Sequence, residues 1–182
     1  MMIIMMKRIA ALLLVFLLCL SGTALAETET AAEEESLFTV MNWEDYREYL
    51  YAYFDEVAVK IWMPIVFRPA DLTEEDREKG LIAIYTDDPE TMESGIRVTL
   101  APAEYGELAD YVEAVLEKTD TAELLLLNGI PALAYILPDE DAMRVGILCN
   151  EQSLLEFAFW PVSGEELKTL YEVMMASIQA TD

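Results

Sequence analysis

Residues 121–161 read TAELLLLNGIPALAYILPDEDAMRVGILCNEQSLLEFAFWP, and their pattern decides the fold. Four apolar runs, each the length of a strand, are separated by short polar turns, so the stretch is expected to form an antiparallel meander. Asn128-Gly129 is a dipeptide suited to φ > 0 at both central positions of a type I′ turn. Pro131 has no N–H to donate and must lie at a strand start or on an edge. Alternation places Met143, Val145, Ile147 and Cys149 on one face, and Leu155, Phe157 and Phe159 on one face of the next strand.

Outward from the meander, Ser163 reads as the cap of a closing helix, with Glu166 completing a capping box and Val162 and Leu167 forming a hydrophobic staple. Leu167, Leu170, Tyr171, Met174 and Ile178 are its buried stripe. On the N-terminal side, Tyr105, Leu108, Val112, Val115 and Leu116 recur at helical spacing. Before them, Ile96, Val98 and Leu100 alternate as a half-buried strand, and Leu81 to Tyr85 is a nearly continuous apolar run, expected to be covered on both faces. Asp71 to Lys79 is charged, with Thr73 a candidate cap for a single helical turn. Val57 to Ile61 is short and β-branched, hence a strand, and Pro64 and Pro69 restrict pairing after it. Between Asn42 and Phe54 two periods compete. Trp43, Tyr46, Leu50, Tyr53 and Phe54 share a helical face, while Tyr49, Tyr51 and Tyr53 alternate; helix is the favoured reading, with Asn42 as its cap.

The chain opens with an address. Lys7 and Arg8 precede the apolar run Ile9 to Leu20, and Ala24-Leu25-Ala26 offers small residues at a cleavage site, so residues 1–26 read as a secretory signal peptide. The apolar run is shorter than the roughly 20 residues a membrane span needs. Any membrane attachment would therefore come through an uncleaved signal. Residues 27–40 form an acidic linker without apolar period, expected to be disordered, and 41–182 form one domain.

The whole sequence carries 11 Lys+Arg against 35 Asp+Glu, a net charge of −24. Loss of Lys7 and Arg8 with the signal leaves 9 basic against 35 acidic residues, or −26. Such a surface repels phosphate backbones, which excludes nucleic acid as a partner. Cys149 is the one cysteine of the mature chain, so no internal disulfide forms; its place on an inner strand face marks it as a structural thiol.

The absence of histidine removes Ser-His-Asp and Cys-His catalysis and His-based zinc sites. No Gly-rich phosphate loop is present. Asp87, Asp88, Glu90 and Glu93 form one acidic loop, and Asp139, Glu140 and Asp141 another. Neither has the Asp-x-Asp-x-Asp-Gly spacing that turns six to eight oxygens inward for calcium. No catalytic residue, metal ligand or cofactor is therefore assigned, and the chain is read as a non-enzyme. The alternative retained is a calcium-responsive envelope protein. Aromatic residues crowd the start of the domain, and Trp43, Tyr49, Trp62 and Phe67 are the candidates for an exposed patch engaging an unknown protein or envelope component.

The order of elements, a sheet with apolar residues on both faces and amphipathic helices to cover it, implies an α+β class: an antiparallel sheet with helices on both faces, an α/β/α sandwich. From about Val57 to Ile178 this order resembles the PsbP-like sandwich family. The resemblance is carried by the element order, by Asn128-Gly129-Ile130-Pro131 opening the central hairpin, and by Ser163 to Ile178 as a closing helix. That family includes a Ran-binding nuclear-import factor and many small exported bacterial proteins. It implies an adaptor or assembly role without a shared active site, and it carries over no site residue.

Overall fold

The structure is a computed structural model that describes residues 49–137, 139–149 and 153–181. These belong to one compact unit. The expected signal peptide, linker and Asn42 cap lie outside the described residues.

Alternation builds the main sheet. The four runs of the meander become β6 (Ala122–Leu127), β7 (Ile130–Ile136), β8 (Met143–Cys149) and β9 (Ser153–Trp160), each antiparallel to the next. Beyond β9 lie β5 (Gly95–Pro102), β4 (Leu81–Thr86) and the two-residue β3 (Arg68–Pro69), giving the spatial order β3-β4-β5-β9-β8-β7-β6. Asn128 and Gly129 hold φ of 47° and 86°, as a type I′ turn requires. In such a hairpin Leu127 and Ile130 form the closing hydrogen-bonded pair. Hydrogen-bonded and non-bonded pairs then alternate, which turns the nitrogen of Pro131 away from β6. On that side β8 starts pairing only at Leu133, so the proline deprives no partner.

One face of this sheet is fully apolar. Ile96, Val98, Met143, Val145, Leu155, Phe157 and Phe159 are completely buried, and Ile147 and Cys149 nearly so. Each such large side chain contributes about 1.5–3 kcal/mol through burial. They form one core with Phe54, Val59 and Ile61 and with residues of the C-terminal helix.

Among the described residues the α-helices are α1 (Glu74–Glu78), α2 (Leu108–Leu116) and α3 (Glu165–Ala176). α1 has the expected cap: Thr73 Oγ1 accepts the Asp76 N–H, and Asp76 accepts the Thr73 N–H in return. Tyr171 of α3 meets Phe159 with ring centroids 5.5 Å apart. Met174 and Ile178 are fully buried, and Leu167 and Leu170 pack against the core.

Four expectations are corrected. First, residues 49–54 are a strand, β1 (Tyr49–Phe54), paired along its length with β2 (Val59–Pro64). Helical spacing and alternation coincide there, and pairing with a β-branched neighbour decides between them. Second, the sheet is not single. β1, β2 and the two-residue β10 (Gln179–Ala180) form a separate three-stranded sheet. The chain leaves β2 through a turn closed by the Phe67 N–H donating to the Pro64 carbonyl at 3.0 Å. Third, β4 is covered less fully than expected: Ile84 and Thr86 are buried on one face, and Ala83 and Tyr85 on the other are only half-buried against the core. Its outer neighbour β3 is too short to extend the cover. Fourth, α3 begins with Gly164 at the cap position and no side-chain cap bond. Ser163 is engaged elsewhere: its hydroxyl donates to Asp141 Oδ2 at 2.7 Å and its N–H to Asp141 Oδ1 at 2.8 Å.

Candidate functional site

Of the four aromatic residues expected at a partner surface, the two whose side chains are described, Trp62 and Phe67, do not reach one. Trp43 lies outside the described residues. Tyr49 opens β1 opposite Pro64. Trp62 and Phe67 are only 2% and 6% exposed, which corrects their assignment as surface rings. The backbone N–H of Trp62 donates to Ser177 Oγ at 2.8 Å, and Phe67 stacks on Tyr171 with centroids 6.3 Å apart. β2 is the middle strand of the small sheet and is buried from Ile61 to Met63, so both its faces are covered. Composition shows how many rings there are, not which faces are roofed.

The exposed apolar residues are aliphatic instead. Leu50, Ile65 and Val66 are 68%, 56% and 58% exposed. Leu50 pairs with Met63, and Ile65-Val66 follows directly on Pro64, so all three lie at one end of the β1–β2 hairpin. Three bulky aliphatic groups exposed at one end of a hairpin are surface that burial against a partner would stabilise. Ile65-Val66, placed between Pro64 and Phe67, was the signal for it: an aliphatic pair in a turn too short to fold back over itself.

On the meander face opposite Phe157 lies a polar cluster that the sequence reading missed. Tyr135 and Arg144 are register partners, as are Gly146 and Glu156, so strand alternation alone brings the three polar side chains to one face. The Tyr135 hydroxyl donates to Glu156 Oε2 at 2.5 Å. The Arg144 guanidinium bonds Glu156 Oε1 through Nη1 and Glu140 Oε2 through Nε (2.9 Å) and Nη2 (2.7 Å). Tyr111 from α2 lies 3.3 Å from the Tyr135 hydroxyl and 3.4 Å from Glu156 Oε2. Its ring occupies the place of a side chain at Gly146, where a Cβ would come within 2.2 Å of the tyrosine oxygen.

Burial, and then the Glu156 charge, push both tyrosine hydroxyls well above their ordinary range, so they remain protonated donors at neutral pH. Burial alone would lower the Arg144 pKa, but the Glu156 and Glu140 carboxylates outweigh it and hold the guanidinium charged. Donors and acceptors are turned on one another. The arrangement braces α2 to the sheet.

The acidic loops are also internally engaged. Asp87 Oδ1 accepts N–H groups of Asp88 (2.9 Å) and Ser94 (3.2 Å), and Asp88 Oδ1 accepts that of Glu90 (2.9 Å). Asp141 accepts from Val162 and Ser163. Among the described residues no three His, Cys, Asp or Glu side chains are grouped so as to hold a metal ion. Cys149 is buried, its thiol pKa is raised by desolvation, and its Sγ donates to the Ile147 carbonyl at 3.7 Å. Among the described residues no helix is long and apolar enough to cross a membrane.

No protein-family model and no curated protein matches the chain. Among solved structures, that of cyanobacterial PsbP (CyanoP) from Synechocystis sp. PCC 6803 superposes with a TM-score of 0.50 at 10% identity. The match covers 84% of this chain and 98% of that one. A crystal structure from Bacteroides thetaiotaomicron VPI-5482 gives a TM-score of 0.44 at 14% identity, over 69% of this chain and 46% of the other. The first likeness shows a PsbP-like fold; at this identity it speaks of fold alone.

Proposed function

We propose that the chain is an exported, non-catalytic binding or adaptor domain that engages a protein or another component of the cell envelope. The observation that carries this reading is the apolar end of the β1–β2 hairpin, Leu50, Ile65 and Val66, on a chain otherwise dominated by carboxylates. Export rests on the Lys7 to Ala26 leader pattern. The non-catalytic assignment rests on the missing histidine and on a polar cluster whose groups satisfy one another. The PsbP-like fold, read as a sandwich with α2 and α3 on opposite faces of the main sheet, fits an accessory role. No observation favours the calcium-responsive alternative, since the loop carboxylates already accept backbone N–H groups.

Replacing Leu50, Ile65 and Val66 together by Ser tests the assignment of the surface. The variant should keep the parent circular dichroism spectrum and lose cross-linking to envelope components that the parent captures. Undiminished cross-linking by a folded triple variant would remove the hairpin end from the reading.

A further inference from the structure

The two edges of the main sheet are built differently. Natural sheets blunt an edge with Pro, Lys, a bulge or a very short strand, because an open row of N–H and C=O groups recruits another strand. β3 follows this rule, being two residues long and ending in Pro69. β6 does not. It is six residues long, Ala122-Glu-Leu-Leu-Leu-Leu127, pairs with β7 without a bulge, and has neither Pro nor Lys; Glu123 is its one charged residue, of the sign that suits a basic strand. Among the described residues no strand pairs with its outer side. Leu126 is 56% exposed.

The turn fixes which backbone groups face outward. With Leu127–Ile130 as the closing hydrogen-bonded pair, Leu125–Ala132 and Glu123–Ala134 are hydrogen-bonded pairs as well. The N–H and C=O groups of Ala122, Leu124 and Leu126 therefore point to the open edge.

Charge selects the occupant. α2 packs against β6, and Glu107, Asp110, Glu113 and Glu117 are exposed along it, with Asp120 exposed just before β6 begins; the one exposed cation among them is Lys118. None of these five carboxylates takes part in the ion pairs formed among the described residues. A second copy of this chain would bring the same negative field, and so would its own Glu-rich residues 27–36. We propose that the β6 edge accepts an extended, Lys/Arg-bearing segment of another protein by strand addition. Backbone pairing to Ala122, Leu124 and Leu126 supplies the register, and the carboxylates beside the edge set the sign of charge. This surface is distinct from the hairpin end, and either can fail without the other.

The test uses the full chain and a synthetic peptide of alternating Lys and Val, with an alternating Glu–Val peptide and a Lys–Val peptide interrupted by Pro as controls. The Lys–Val peptide should bind, weaken with added salt, and slow hydrogen exchange at the Leu124 and Leu126 amides. Neither control should bind comparably. Leu124→Pro removes one outward N–H and breaks no bond to β7; it should weaken binding about tenfold. If that variant does not fold, Leu126→Lys tests the same edge by placing a like charge there, with the same expected loss. The proposal is overturned by equal binding to the folded edge variant, by equal binding of the Pro-interrupted peptide, or by unchanged exchange at Leu124 and Leu126 in the complex. Light scattering that shows a dimer abolished by Leu124→Pro would assign the edge to a second copy and overturn it equally.

Discussion

Gly146 shows how one residue without a side chain can position a helix. It lies in the middle of β8, a place where glycine normally weakens a strand, and it is buried beneath the Tyr111 ring. The space it leaves lets the Tyr111 hydroxyl reach Tyr135 and Glu156. Gly146→Ala should destabilise the fold by about 1–3 kcal/mol, because a Cβ placed 2.2 Å from the tyrosine oxygen forces the ring out of its seat. Urea unfolding measures the loss. Adding Tyr111→Leu to Gly146→Ala should cost less than the two single losses combined, since the clash is already relieved. Strict additivity would mean that the glycine has some other purpose.

At the scale of elements, the start of α3 depends on a side chain far away in sequence. Asp141 closes the β9–α3 junction by accepting the Val162 and Ser163 N–H groups and the Ser163 hydroxyl. The Ser163 hydroxyl bond leads in holding its pKa below the ordinary 3.8; desolvation opposes it, and the two backbone bonds add to the lowering. A carboxylate with a depressed folded pKa stabilises fully above its unfolded pKa, and that contribution disappears as pH falls through the folded value. Asp141→Asn should therefore melt lower than the parent near pH ~7, with the gap closing towards pH ~3. A gap independent of pH would show that hydrogen-bond geometry, not charge, is what the junction uses. The same junction marks where sequence reading stops. Ser163 and Glu166 have capping-box spacing, and nothing local reveals that Asp141, 22 positions earlier, claims the serine. The meander was legible because its information is local: period-two alternation, a turn dipeptide, and a proline whose missing donor harms nothing. β1 was misread because Leu50, Tyr53 and Phe54 fit either period until β2 is seen beside them. The brace of Tyr135, Arg144 and Glu156 was hidden for a related reason. Each is an ordinary outward residue of its own strand, and only register makes them neighbours.

For the whole molecule the dominant force outside the core is self-repulsion. A net charge of −24 over 182 residues raises the energy of the compact state relative to the expanded chain, and only four ion pairs form among the described residues to offset it. Screening should therefore stabilise: the Debye length falls from about 30 Å at 0.01 M salt to about 8 Å at 0.15 M, shorter than the distances over which these charges act on one another. The melting temperature should rise steadily with NaCl across that range. Calcium separates general screening from site binding. A built site would add a term that saturates with calcium concentration, on top of ionic strength. The carboxylates of Asp87, Asp88 and Asp141 already accept backbone N–H groups, and Glu140 is held by Arg144, so a cation would have to displace bonds that shape the loops. Millimolar CaCl2 should consequently raise the melting temperature no more than MgCl2 at equal concentration. A saturating excess for calcium over magnesium would reverse this and bring the cation-responsive reading to the front. The acid-rich exterior would then be a binding device in itself, where the present reading makes it a solubilising field around an aliphatic hairpin end and an open strand.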